Sequence, residues 1–400
     1  MNIMSRLKTW NMHPSFAQGF GGQSNKRVLL RADLNLPIKD GIISNDYRLQ
    51  ALLPTIDYVQ KNGGKIILIT HIGRPKKPTE SLSTKLLIPL FEQKGYKVTF
   101  SADVDDAYAQ SLHDSNTIIL LENLRFFPGE NSGDKQFAQQ LSRLGDFYVD
   151  DAFGTLHRHD TSITLVPRQF DPSKRSIGLL VEKELEMLNK LISAAPSGFV
   201  LILGGGKVTD KLPLLEYLID HVQDILLCPA IVFTFLASQG VSVGKSLVDN
   251  EAIALCQKLL DKAKKNKVTI HFPVDYQVAL NSLDGQLINV DARDIPANAI
   301  GVSIGPKTIE QYVKIINNAR TLFFNAAMGF EYRRETLQGT FALLRAIGAS
   351  QGFRVVGGGN SVADAQIIQV DKEVDFVSTG GGATLAYLSG QQLPGLVALE

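Results

Sequence analysis

Short apolar runs alternate along the chain with stretches whose apolar positions recur every three or four residues. The run VLLRADL (28–34) precedes a stretch in which Leu49, Leu52, Leu53, Ile56 and Val59 share one helical face. Gly63-Gly64 closes that helix before the next run, KIILIT (65–70). The pattern then predicts a helix over 81–96, strand KVTF, strand TIILLEN (117–123), a helix over 134–144 and strand DFYVDDAF (146–153).

A helical stretch, LLVEKELEMLNKLI (179–192), opens a second series. Its strands read FVLILGG, DILLCPAIVF, VTIHFPV, AIGVSI, TLFFNAAM, RVVGGG and DFVST, with helices such as EAIALCQKLLDKAKK, TIEQYVKIINNA and TFALLRAIGAS between them. Strands this apolar are covered on both faces, which implies parallel sheets flanked by helices. The expected fold class is α/β: two doubly wound, Rossmann-like domains with parallel sheets, joined by a helix and a flexible cleft. The boundaries read 1–178, helix 179–192, 193–385 and a C-terminal segment 386–400.

Bulk properties narrow the classes of function. A chain of 400 residues with a formal charge of +1 suits two cores and offers no bulk attraction for nucleic acid or membrane surfaces. No apolar run is long enough to span a bilayer. Cys228 and Cys256 lack metal-type spacing and are too few for a disulfide framework, which fits the cytoplasm. Residues 1–32 hold no acidic side chain but carry Arg6, Lys8, Lys26, Arg27 and Arg31, a composition also seen in organelle-targeting peptides. The role of residues 1–25 stays open.

Open α/β sheets bind ligands just beyond the carboxyl ends of their strands. Asp33 and Asn35 follow the first strand, His71 and Arg74 the second, Arg125 the TIILLEN strand, and His157 and Arg158 the DFYVDDAF strand; Arg48 starts the first helix. Converging arginines repel one another unless an anion joins them, and guanidinium forks match phosphate and carboxylate. The first half therefore holds a candidate anion site. The second half carries glycine-rich strand-end loops: Gly204-Gly205-Gly206-Lys207, Gly305-Pro306, Gly357-Gly358-Gly359-Asn360-Ser361 and Ser378-Thr379-Gly380-Gly381-Gly382. The first of these is neither a Walker A loop, since Leu201 and Val208 stand at its required Gly and Ser/Thr positions, nor a dinucleotide fingerprint. Helix N-termini behind glycine loops offer bare N–H groups to phosphate oxygens, so a nucleotide phosphate chain is the candidate ligand.

RADLNLP, HIGRP, LLENLRFFPGE, DDAFGTLHR, VEKELEML, ILGGGKVTDK, VGKSL, FPVD, IGPKT, GGGNS, STGGGA and QLPGLVAL occur in the order found in the phosphoglycerate kinase family, which residues 26–397 closely resemble. The resemblance implies reversible phosphoryl transfer between ATP and 3-phosphoglycerate in glycolysis, with Mg carried by the nucleotide, hinge closure, and a cytoplasmic monomer. It implies phosphoglycerate binding by Asp33, Asn35, Arg48, His71, Arg74, Arg125 and Arg158, with Arg48 and Lys207 catalytic. Nucleotide binding falls to Lys207, Lys211, Gly305, Glu331, Gly358, Gly359, Asn360, Ser361, Gly380 and Gly381. The C-terminal QLPGLVAL is expected to return to the first domain. A carboxylate acceptor is already ionised at neutral pH, so no general base is needed.

Departures from the family pattern concentrate in the nucleotide half. Cys228-Pro229-Ala230 replaces a glycine triplet, Ser303 an Asp, Tyr332 the ribose-binding Glu (with Glu331 adjacent), and Asn360 an Asp of the metal-nucleotide site. Asn keeps a carbonyl oxygen but loses a charge toward Mg²⁺. The first half departs at Asp150, for Asn, and at His159-Asp160, for Ala-His. Two readings follow: an active kinase with an altered nucleotide pocket, or a pseudo-kinase that binds phosphoglycerate without productive use of ATP.

Overall fold

The computed structural model describes residues 26–39, 41–113, 117–206, 208–292 and 295–400. Residues 1–25 and Lys207, on which the sequence placed expectations, lie outside the described residues. The chain divides into two compact units, one running to Glu186 and including Gln392–Glu400, the other spanning Met187–Gln391. The division falls inside the helix Leu179–Ile192.

In the first unit, β1 (Arg27–Ala32), β2 (Lys65–Ile69), β3 (Val98–Ser101), β4 (Ile118–Leu121), β5 (Phe147–Asp151) and β6 (Arg175–Ile177) form one parallel sheet in the order β3-β4-β2-β1-β5-β6. The chain winds one way from β1 to β2 and the other way from β1 to β5. Helix α1 (Tyr47–Lys61) buries Leu49, Leu52, Ile56 and Val59. Leu49, Leu52, Ile56 and Val59 recur with the spacing of one helical face and join the core under β1 and β2. Gly63, at φ +77°, ends the helix in the left-handed turn that the Gly63-Gly64 pair anticipated. The expected helix over 81–96 is instead two 3₁₀ turns and a short helix, Ile88–Gln93. Ser83 and Thr84 donate to the Glu122 carboxylate there, at 2.7 and 2.9 Å, and pin that segment to the end of β4. The C-terminal helix Pro394–Leu399 packs within this unit, Gly395 N donating to Leu156 O at 2.9 Å.

The second unit holds β7 (Phe199–Gly205), β8 (Asp224–Ala230), β9 (Thr269–His271), β13 (Thr321–Asn325), β14 (Phe353–Val356) and β15 (Phe376–Val377) in a parallel sheet ordered β9-β8-β7-β13-β14-β15. This is the doubly wound dinucleotide-fold order, with its switch point between β7 and β13. Between β9 and β13 the chain inserts an antiparallel sheet of β10 (Asp275–Leu280), β11 (Leu287–Asp291) and β12 (Ala299–Ile304). AIGVSI thus leaves the parallel series in which its apolar run grouped it. Its partners β10, DYQVAL, and β11, LINVD, mix polar residues among their apolar ones and carried no long continuous apolar run. DILLCPAIVF also divides, β8 ending at Ala230 and a helix, Ile231–Ser238, following, whose first six residues are all buried. A helix buried on every side shows no periodicity, so the run reads as one strand.

Candidate functional site

Strands β4, β2, β1 and β5 are neighbours and parallel, so the residues that follow them meet at one edge of the first sheet. The loops there are tied by buried side chains. Asn123 accepts from Ile72 N at 3.2 Å and Arg125 N at 3.1 Å, and donates to Ile72 O and Leu82 O at 2.8 Å each. Gly73, at φ +63°, turns with no room for a side chain against Leu82. Its N–H donates to Asn35 Oδ1 at 2.8 Å, and its carbonyl accepts from Arg125.

Arg48, near the start of α1, donates to Asp33 Oδ1 at 2.9 Å and to Asn35 O at 3.2 Å. Arg158 lies 3.2 Å from His71 Nε2, while Arg31 approaches Nδ1 of the same ring at 3.4 Å. His71 is buried, and burial together with the charges of Arg31, Arg125, Arg158 and Arg48 holds its pKa well below 6.5. The ring is therefore neutral at pH 7, and a neutral imidazole accepts from only one of its two arginine neighbours. Arg125 keeps a buried Nε without a partner. Burial and Arg158 lower the pKa of Arg125, with Arg74 adding to the repulsion. Arg74 itself is exposed at the rim. The seven residues that the resemblance assigned to phosphoglycerate thus share this edge, joined by direct contacts or, for Arg74 and Arg125, through charge.

Beneath them lies a layer that sequence reasoning did not assign. Arg31 is fully buried and donates to Ser162 Oγ at 2.9 Å. Ser162 in turn donates from Oγ and N to the two oxygens of buried Glu130, at 2.6 and 2.9 Å. Burial pushes Glu130 up to about 7, against the pull of Arg31. Tyr148 donates to Asp150 at 2.9 Å, and burial raises Asp150 to about 6. A charged residue inside the apolar run VLLRADL was the one available signal for this layer. His157, half-buried beside Arg158, is a further member of the edge.

In the second unit the strand ends at the switch point, β7 and β13, open onto a cleft of about 380 Å³. Gly205, Gly206, Gly358, Gly359, Asn360 and Ser361 line it, as do Lys211 and Gly381. Lys211 is buried; its Nζ donates to Asn325 O at 2.9 Å and to Gly204 O, bridging the ends of β13 and β7. Desolvation lowers it to about 8, leaving it mainly protonated at pH 7. Gly358, at φ +94°, lets the chain pass the Asn325 amide, which a Cβ would meet at 2.6 Å. Behind it the helix Gly359–Ile367 aims its first N–H groups at the cleft. Asp210 and Asn325 also line the cleft and were given no role from the sequence.

Three expected nucleotide residues stand apart from this lining. Gly305 precedes the helix Pro306–Asn317, packed so closely on Asp275 that a Cβ would meet its carboxylate at 2.3 Å. Gly380 donates to Ser378 Oγ at 3.2 Å within its own turn. Glu331 is exposed, and its charge adds to the burial that raises Asp364 to about 6. Among the other departures, Cys228 is fully buried, Ser303 is buried with an unpartnered Oγ, and Tyr332 is 67% exposed and stacked on Phe330.

The family model described as phosphoglycerate kinase matches residues 22–391. A phosphoglycerate kinase of Finegoldia magna is 39% identical over 386 residues, covering 94% of this chain and 96% of that protein. One from an Anaeromyxobacter species is 38% identical, covering 94% and 97%. The solved structure of phosphoglycerate kinase from Coxiella burnetii is similar with a TM-score of 0.79 and 32% identity, covering 94% and 96% of the two chains. That from Pyrococcus horikoshii is similar with a TM-score of 0.79 and 31% identity over the same shares.

Proposed function

The chain belongs to the phosphoglycerate kinase family, and from that premise we propose how its residues carry out reversible phosphoryl transfer between ATP and the carboxylate of 3-phosphoglycerate. Family membership carries the activity and its place in glycolysis; the residue roles are our reading. The observation that carries the reading is the convergence of Arg48, His71, Arg125 and Arg158 at one sheet edge.

Phosphoglycerate supplies the counter-charge that Asp33 and Asp160 provide only in part there. Arg125 and Arg158 hold its phosphate or carboxylate in forked, charge-assisted bonds. Neutral His71 accepts from one arginine, and Asn35 orients the loop at Gly73. Arg48, held by Asp33 until substrate arrives, is the side chain best placed to turn to the transferring phosphoryl group. The acceptor carboxylate attacks without losing a proton, so catalysis consists of positioning and neutralising developing charge. In the second unit, Lys211 and the glycine N–H groups are assigned to the nucleotide phosphates, and Lys207 to the phosphoryl group.

Magnesium fits this chain only as a companion of the nucleotide. Among the described residues no cluster of three His, Cys, Asp or Glu could hold a metal. Asn360 and Asp210 at the cleft would supply one or two oxygen ligands to a nucleotide-bound ion, the usual share for Mg²⁺. The ion would shield phosphate charge.

The binding-only alternative draws no support from the fold or the relatives. We further take the enzyme to act as a monomer in a reducing compartment, in keeping with two buried free cysteines. A coupled assay in both directions with Mg²⁺ titrated is the test. Turnover dependent on both 3-phosphoglycerate and ATP is expected. No turnover at any Mg²⁺ level, with phosphoglycerate still bound by calorimetry, would overturn the enzyme reading.

A further inference from the structure

One carboxylate stands among the arginines of the anion site without the orienting role of Asp33. Asp160 Oδ2 lies 3.8 Å from Arg158 NH1, with the two side chains 14% and 22% exposed. Asp160 is also the N-cap residue of the short helix Thr161–Thr164, a position where an aspartate ordinarily accepts from the helix N–H groups. Here its side chain makes no such bond. The carboxylate is aimed at the arginines rather than spent on the helix. Its charge supports the protonated forms of both Arg125 and Arg158 against the burial that opposes them.

We propose that Asp160 is a built-in counter-ion that neutralises Arg158 while the site is empty and weakens the site's hold on phosphoglycerate. An incoming anion must replace this ion pair and share the arginine with a fixed negative charge. The pair is too long for a strong hydrogen bond, so it competes by charge alone and yields to a bidentate ligand. Asp33 plays a different part, since its 2.9 Å bond to Arg48 orients that side chain. The inference rests on the reading of this edge as the phosphoglycerate site.

The test is Asp160→Asn, which keeps the shape and removes the charge, beside Asp160→Ser, which keeps a helix-capping oxygen. Both are compared with the unaltered chain by calorimetric titration of 3-phosphoglycerate, by KM for each substrate, and by inhibition with inorganic phosphate. Removing one partly buried like charge is expected to tighten phosphoglycerate and inorganic phosphate on the order of three- to tenfold, with KM for ATP unmoved. Thermal unfolding identifies a variant with a folding defect, in which case the other decides. Equal or weaker phosphoglycerate binding by a folded variant would overturn the proposal. Failure of the unaltered chain to bind phosphoglycerate would instead overturn the site reading itself.

Discussion

Glu130→Gln tests whether the layer under the anion site is electrostatically loaded. Glu130 is fully buried, and burial lifts its pKa from an ordinary 4.5 to about 7. Between those two values the folded protein keeps a proton that the unfolded chain has released. Its stability therefore falls as pH rises through that window and levels off above about 7; below 4.5 both states are protonated and the group adds no slope. Each pH unit of displacement is worth about 1.4 kcal/mol, so this one side chain removes about 3 kcal/mol of stability across the window. Gln carries no proton equilibrium. It must give up part of the bonding to Ser162, which costs about 1 kcal/mol at every pH. The slope, rather than the offset, is diagnostic. Urea unfolding at a series of pH values from 5 to 8 should show the variant gaining on the unaltered protein by up to about 3 kcal/mol as pH rises. Profiles that stay parallel to within about 0.5 kcal/mol would refute the argument. Asp150 and Asp151, raised to about 6 and about 7 by the same desolvation, remain in both proteins and do not affect the comparison.

Lys211, charged below about 8 and neutral above, should make ADP affinity fall as pH rises through 8; Lys211→Met should flatten that titration and lower kcat by on the order of a hundredfold. Asn360→Asp restores a negative oxygen ligand at the cleft and should lower the Mg²⁺ concentration giving half-maximal rate, read from Mg²⁺ titrations at fixed ATP. Asn123→Ala leaves two N–H and two C=O groups, buried at Ile72 and part-buried at Arg125 and Leu82, without their side-chain partner. It should cost about 2–4 kcal/mol in urea unfolding and raise KM for phosphoglycerate more than KM for ATP.

The first-half site was legible because all of its residues except Arg48, at the start of α1, follow strand ends. Apolar runs locate the strands, parallel pairing brings their ends to one edge, and Asp33, His71, Arg125 and Arg158 follow directly. The layer beneath was not legible. Arg31 meets Ser162 across 131 residues, and Ser162 meets Glu130 across 32, so no local pattern joins them. In the nucleotide half the glycine loops were visible as loops, yet glycine answers two demands. Gly358 and Gly359 line the cleft, whereas Gly305 is glycine because Asp275 leaves no room for a Cβ. The spacing along the chain does not distinguish these cases.

What the sequence by itself determined was the kind of element at most positions, the α/β class and the family, because side-chain periodicity and ordered motifs are local properties of the chain. The tertiary structure alone decided that AIGVSI joins an antiparallel sheet, that Lys211 bridges β7 and β13, and that Asp160 faces Arg158. It also set the protonation of His71, Glu130 and Lys211. Each of these depends on which distant groups share a low-dielectric space, and desolvation and Coulomb energy are functions of distance in the folded molecule rather than of separation along the chain.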